Sequence, residues 1–232
     1  MPRFAANLSL LFTEVDFIDR FAAAARAGFR AVECQFPYAE TADRIAEQLR
    51  QHDLQMVLHN LPAGDWAAGE RGIACHPDRI ADFRRGVAQA IDYATSLGCS
   101  QLNCLAGIAP AGVPEDVLRE TLIANLRFAA SELKAAGQRL LVEPINTFDI
   151  PGFYVSRTEQ ALALIDAVGA DNLYLQYDVY HAQRMEGDLG NTLVRCLPRI
   201  GHIQIADNPG RHEPGTGEIN YPWLFRHLDA IG

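Results

Sequence analysis

No stretch of this 232-residue chain approaches the ~20 consecutive apolar residues that a membrane-spanning helix needs. The apolar run at residues 4–12 is followed at once by Glu14, Asp16 and Asp19 and by no clean small-residue cleavage site, which argues against a signal peptide. Basic charge is also in short supply. The formal net charge of −9 opposes the basic footprint of a protein that grips a phosphate backbone. None of the five cysteines, Cys34, Cys75, Cys99, Cys104 and Cys196, forms a C-x-x-C pair, and an odd number suits buried free thiols in a reducing compartment. There is no low-complexity tract and no repeat. These absences lead us to expect a soluble cytoplasmic protein whose partner is a small molecule, not a nucleic acid or a membrane; the oligomeric state stays open.

What is present is a rhythm. Segments that look like strands recur at residues 4–10, 31–35, 54–60, 101–105, 140–145, 173–178 and 202–206, with helical patterns between them. The pattern at 15–27 stops at Gly28, and that at 78–97 stops at Gly98. Pro114, Glu115 and Asp116 open another helix that ends at Gly137, and Ser156 with Glu159 reads as a capping box for a helix over 156–168. Alternation of strands and helices implies parallel pairing. An open doubly wound sheet would announce itself with G-x-G-x-x-G after the first strand, whereas Leu10-Leu11-Phe12-Thr13 stands there. The later Gly215-Thr216-Gly217 has the wrong continuation and reads as a flexible loop. A single domain over residues 1–232 with a TIM (β/α)8-type barrel is the expectation, and about 200 to 250 residues is a common size for one. The one long loop, residues 61–76, would then belong to the substrate face.

Polar residues interrupt the apolar strands at their C-terminal ends. Glu143 closes Leu140-Leu141-Val142, Gln176 and Asp178 share one face of their strand, and His202 and Gln204 share one face of theirs. The outer face of a barrel strand meets helices, so the polar set should point into the barrel, joined by Glu33, His59 and Asn103. One buried carboxylate is as readily a salt-bridged structural residue as a functional one. Several on successive strands would be costly without a cation among them. Oxygen donors from Glu143, Asp178 and Gln204 favour a hard divalent ion such as Mg²⁺ or Mn²⁺ over structural zinc. His181 and His202 are candidates for further ligands or substrate donors.

Four stretches together resemble the hydroxypyruvate isomerase family, which includes 2-oxo-tetronate isomerases, and more broadly the xylose-isomerase-like barrels. They are His59-Asn60-Leu61-Pro62-Ala63-Gly64-Asp65-Trp66 with Gly69-Glu70-Arg71-Gly72; Val142-Glu143-Pro144-Ile145-Asn146; Tyr177-Asp178-Val179-Tyr180-His181; and His202-Ile203-Gln204-Ile205-Ala206-Asp207 with Gly215-Thr216-Gly217-Glu218-Ile219-Asn220-Tyr221. The resemblance implies a metal-assisted ketose–aldose isomerisation of a small sugar acid, hydroxypyruvate to tartronate semialdehyde or its four-carbon analogue, in which two glutamates move a proton through an enediolate. Glu143 matches the first glutamate. The second is expected on an eighth strand, which would lie beyond Gly232, so the eighth strand and helix of the barrel are expected to be missing from this chain. Arg71 is the candidate for the substrate carboxylate, because its planar fork matches one bidentately, with His59, His181 and His202 as further substrate contacts. Two other classes compete. Phosphodiester hydrolysis would want more histidines and a basic groove; a sugar-acid-binding barrel without turnover would keep the pocket alone.

Overall fold

The computed structural model describes residues 2–232. Seven strands, β1 (Ala5–Asn7), β2 (Ala31–Cys34), β3 (Gln55–Asn60), β4 (Gln101–Cys104), β5 (Arg139–Val142), β6 (Leu173–Asp178) and β7 (Ile200–Gln204), form one parallel sheet in the order of the chain. Each return to the sheet runs through helix: α1 (Asp19–Arg26), α2 (Ala42–Gln51), α3 (Ile80–Leu97), α4 (Glu115–Ala135), α5 (Thr158–Val168), then α6 (Val179–Met185) and α7 (Leu189–Cys196) before β7, and α8 (Tyr221–Ile231) after it. Among the described residues no helix is long and apolar enough to cross a membrane.

The sheet curls. On a flat sheet β2 and β7 would lie roughly 24 Å apart, five spacings of about 4.8 Å. Here Gln204 and His202 of β7 reach Glu33 of β2 at 2.6 and 2.7 Å, and His202 meets Gln101 of β4 at 3.4 Å. Only a barrel wall brings those strands face to face, so the fold is of the TIM-barrel type and the open-sheet alternative is excluded. The polar alternate residues line the inside, while the apolar ones, such as Leu140, Val142, Leu173 and Leu175, are buried against the helical layer formed by residues such as Phe21, Leu49, Val87, Leu126 and Leu164. Burying each such large side chain contributes roughly 1.5–3 kcal/mol.

Several boundaries differ from the sequence reading, each for a local reason. The first strand spans three residues instead of seven because Asn7 turns the chain: its carbonyl accepts from Leu10 and Leu11, and its side chain accepts from the N–H of Ser9. Helix α1 starts only at Asp19, after two tight turns over residues 12–19. The capping box before α5 is made by Gln160, whose Oε1 accepts from the N–H groups of Ser156 and Arg157, while Glu159 pairs with Arg195. Gly98 ends α3 in the left-handed region, at φ 64°, where a side chain would be strained. All five cysteines are buried and free.

Candidate functional site

The acid at the end of β5 is held by the strands beside it. Glu143 is buried, and its Oε2 accepts from Asn103 Nδ2 at 2.7 Å; Asn103 also donates to Asn60 Oδ1 at 3.2 Å. Asn60 and Asn103 are register partners on β3 and β4, so this chain of amides links three neighbouring strands. The neighbour His59 does not join it. Its ring packs edge-on against Tyr38, which meets Tyr93 of α3, and its Nε2 is a buried polar atom without a hydrogen-bond partner. Burial lowers the His59 pKa to about 4, so the ring is neutral.

Asp178 does two jobs at the junction of β6 and α6. Its Oδ1 caps the helix, accepting the N–H groups of Tyr180 at 2.8 Å and His181 at 3.2 Å. The same short helix start brings His181 round, with Nε2 3.6 Å from Asp178 Oδ2 and 4.0 Å from Glu143 Oε1. Glu143, Asp178 and His181 are all buried, and their donor atoms lie within 4.8 Å of one another.

The two carboxylates respond oppositely to their confinement. Burial, with the Asp178 charge alongside, pushes Glu143 up to about 8, against the opposing pull of Arg211, Asn103 and Gln176. Burial also acts to raise Asp178, but His181, Arg211 and the two capping N–H groups outweigh it and hold this carboxyl below its usual value. His181 is lowered by burial more than Asp178 raises it. Confinement therefore acts on the two in opposite directions, and Glu143 is the one whose charged form is disfavoured. A divalent cation suits this cluster: two carboxylates converge beside the His181 ring, and the upward shift of Glu143 is the signature of negative charge without enough compensation.

Gln204 stands beside Asp178 as its register partner on β7. Its amide is clamped at both ends, with Nε2 donating to Glu33 Oε1 at 2.6 Å and Oε1 accepting from Gln176 Nε2 at 2.9 Å. The sheet register shifts at two places, beside Glu33 and beside Gln176, the two residues that hold this amide. Such bulges re-aim side chains. His202 lies one layer deeper, tied to Glu33. Arg71 is in the long loop after β3, stacked on Trp66 with its guanidinium 4.1 Å from the ring centroid and donating to the carbonyls of Trp66 and Glu70 at 3.0 and 2.8 Å.

Three residues were missed in the sequence. Arg211, in the loop after β7, places Nη2 3.2 Å from Asp178 Oδ2. Asp207 is wholly buried and accepts from the N–H groups of Asn208, Gly215 and Ile219, so the Gly215-Thr216-Gly217 segment is pinned around it and is no free loop. A Cβ at Gly217 would meet Asn208 O at 2.3 Å, which requires glycine at this approach. Asn146 hydrogen-bonds the ring of His181. Asp207 follows the strand-end pattern already used for the other carboxylates and could have been found by it; Arg211 and Asn146 carry no local signal.

A family model described as xylose isomerase-like TIM barrel matches residues 21–232. The chain is 56% identical to hydroxypyruvate isomerase of Escherichia coli, covering 99% of this chain and 89% of that protein. It is 48% identical to 2-oxo-tetronate isomerase of Cupriavidus necator, covering 100% of this chain and 89% of that one. Among solved structures, one described as AP endonuclease, family 2 from Brucella melitensis superposes with a TM-score of 0.98 at 47% identity, covering 100% of this chain and 90% of that one.

Proposed function

The chain belongs to the xylose isomerase-like TIM barrel family, and from that premise we propose that it interconverts hydroxypyruvate and tartronate semialdehyde, with a divalent metal, probe ions Mg²⁺ and Mn²⁺, at Glu143, Asp178 and Gln204. That it is an isomerase of small sugar acids is the common ground of its relatives, whose names divide between the three-carbon and four-carbon substrates. The buried Glu143–Asp178 pair supports the reading most directly, because two carboxylates confined together at the strand ends can hold a cation and offer a base for proton transfer.

Glu143 removes a proton from C3 of hydroxypyruvate and leaves an enediolate across C2 and C3. Return of a proton to C2, with passage of the hydroxyl proton from O3 to O2, yields the aldehyde. Asn103 holds the Glu143 carboxylate in place through its Oε2. Asp178 stays ionised and fixes both the start of α6 and His181. A bound divalent ion would supply Lewis-acid polarisation of the substrate's carbonyl and hydroxyl oxygens. Arg71 is assigned the substrate carboxylate and His181 a substrate oxygen. His202, with Glu33, braces Gln204 from below.

The phosphodiesterase reading suggested by the Brucella structure's description needs a cluster of metal ligands and a cationic track. A net charge of −9 and, among the described residues, one three-residue group favour the sugar acid. The test is a panel of hydroxypyruvate, 2-oxo-tetronate and an abasic-site DNA duplex, given to full-length protein with EDTA and with Mg²⁺ or Mn²⁺ restored. Conversion of hydroxypyruvate that EDTA stops and metal restores is expected; DNA cleavage without sugar-acid turnover would replace the proposal.

A further inference from the structure

Asn146 follows β5 by four residues and is wholly buried. Its amide can point only one way. The Oδ1 atom accepts the backbone N–H groups of Phe148 at 3.1 Å and Asp149 at 2.8 Å, and a flip would set amide hydrogens against both. The Nδ2 atom faces the Asp149 carboxylate at 3.0 Å, where only a donor is tolerated. Asp149 is itself fixed, because Tyr180 donates to it at 2.8 Å and Arg184 at 3.0 Å.

The remaining Nδ2 hydrogen is directed at His181 Nδ1, 2.7 Å away, and the backbone N–H of Asn146 approaches the same ring nitrogen at 3.4 Å. A ring nitrogen that receives two donors must present its lone pair. In a neutral imidazole the proton is then on the other nitrogen. That nitrogen, Nε2, is the one facing Asp178 and Glu143 at 3.6 and 4.0 Å, just outside hydrogen-bond reach of either.

We infer that Asn146 is a positioning residue that fixes the tautomer of His181, holding Nε2–H toward the gap between Glu143 and Asp178 and making the ring a donor to a bound oxygen instead of a metal ligand. A protonated ring nitrogen has no lone pair to give a cation, so the ring belongs to the substrate side of the cluster even though its distance would suit an ion. The inference rests on the sugar-acid reading only for the identity of the oxygen that receives this hydrogen bond. The tautomer itself follows from the four partners of the Asn146 amide.

The test is ¹⁵N NMR of the imidazole nitrogens in full-length, metal-free protein, with the His181 signals identified by their loss in His181→Gln. The wild type is expected to show an unprotonated Nδ1 and a protonated Nε2. In Asn146→Ala, which removes the donor, both tautomers should appear, and kcat for hydroxypyruvate should fall about tenfold with KM changed by less than about threefold. A wild-type His181 protonated on Nδ1 would overturn the inference without any variant having to fold, as would an unchanged, wholly Nε2-protonated ring in Asn146→Ala. Absence of sugar-acid turnover in the wild type with the expected tautomer would leave the inference standing and remove the proposed substrate.

Discussion

Two glutamates inside this barrel make an instructive pair. Glu33 and Glu143 are both buried, both sit near the end of a strand, and both have a histidine beside them. Glu33 is surrounded by donors: Asn7 Nδ2 at 2.9 Å, Gln204 Nε2 at 2.6 Å and His202 Nε2 at 2.7 Å. Glu143 has Asn103 at 2.7 Å and, opposite it, a second carboxylate. The first environment satisfies a charge and thereby braces β1, β2 and β7 against one another. The second leaves a charge wanting and so gives it chemistry. Residue type and burial alone do not distinguish a brace from a reactive group; the count and sign of its neighbours does.

The comparison is broken most forcefully at Glu143. Glu143→Gln keeps the shape and removes the base, so kcat should fall by at least about 10³-fold while the protein remains folded. The same variant tests the raised pKa. A carboxyl whose folded pKa lies above its unfolded value stabilises fully below the unfolded value, and that contribution is lost as pH rises through about 8. The metal-free wild type should therefore lose thermal stability between about pH 6.5 and pH 8, above the range where the lowered His59 and His181 act with the opposite sign, and Glu143→Gln should flatten that part of the profile. Asp178, held low, acts in a separate window, its contribution being lost only as pH falls through its depressed pKa. A steep fall above about pH 6.5 surviving in the variant would assign the titration elsewhere.

At Glu33 the effects should be smaller and of another kind. Glu33→Gln strands one of three buried donors, which costs about 1–3 kcal/mol and lowers Tm by roughly 2–10 °C. Turnover should fall less than about 10²-fold, through loss of the clamp on Gln204. Unchanged Tm with abolished turnover would make Glu33 the reactive acid and invert the comparison. Smaller again is Arg71→Lys, where a point charge replaces the planar fork: KM for hydroxypyruvate should rise about tenfold with kcat nearly constant, and an unchanged KM would free Arg71 from the substrate carboxylate.

How much of this could be read in advance follows the reach of each interaction. Strand β6 was legible to the residue, because Leu173–Asp178 alternates cleanly and the next residues begin a helix. The inward set, Glu143, Asp178, Gln176, Gln204 and His202, followed from period two. His59 did not: with Asn60 facing the amide chain, its neighbour turns toward Tyr38 and the helices. The first strand is shorter than its apolar residues Leu8, Leu10 and Leu11 suggest because Asn7 governs the turn. Arg211 reaches Asp178 across 33 residues, and Asn146 reaches His181 across 35, so neither contact leaves a periodicity to detect.

The central claim, that proton transfer at the substrate carbon belongs to Glu143 in this cluster, is tested most directly by solvent exchange. Hydroxypyruvate would be incubated in D₂O with the full-length protein and Mg²⁺ or Mn²⁺, and ¹H NMR would follow loss of the C3 protons. The account predicts deuterium at C3 with the wild type and at least about 10³-fold slower exchange with Glu143→Gln. Exchange at the wild-type rate in Glu143→Gln would contradict it.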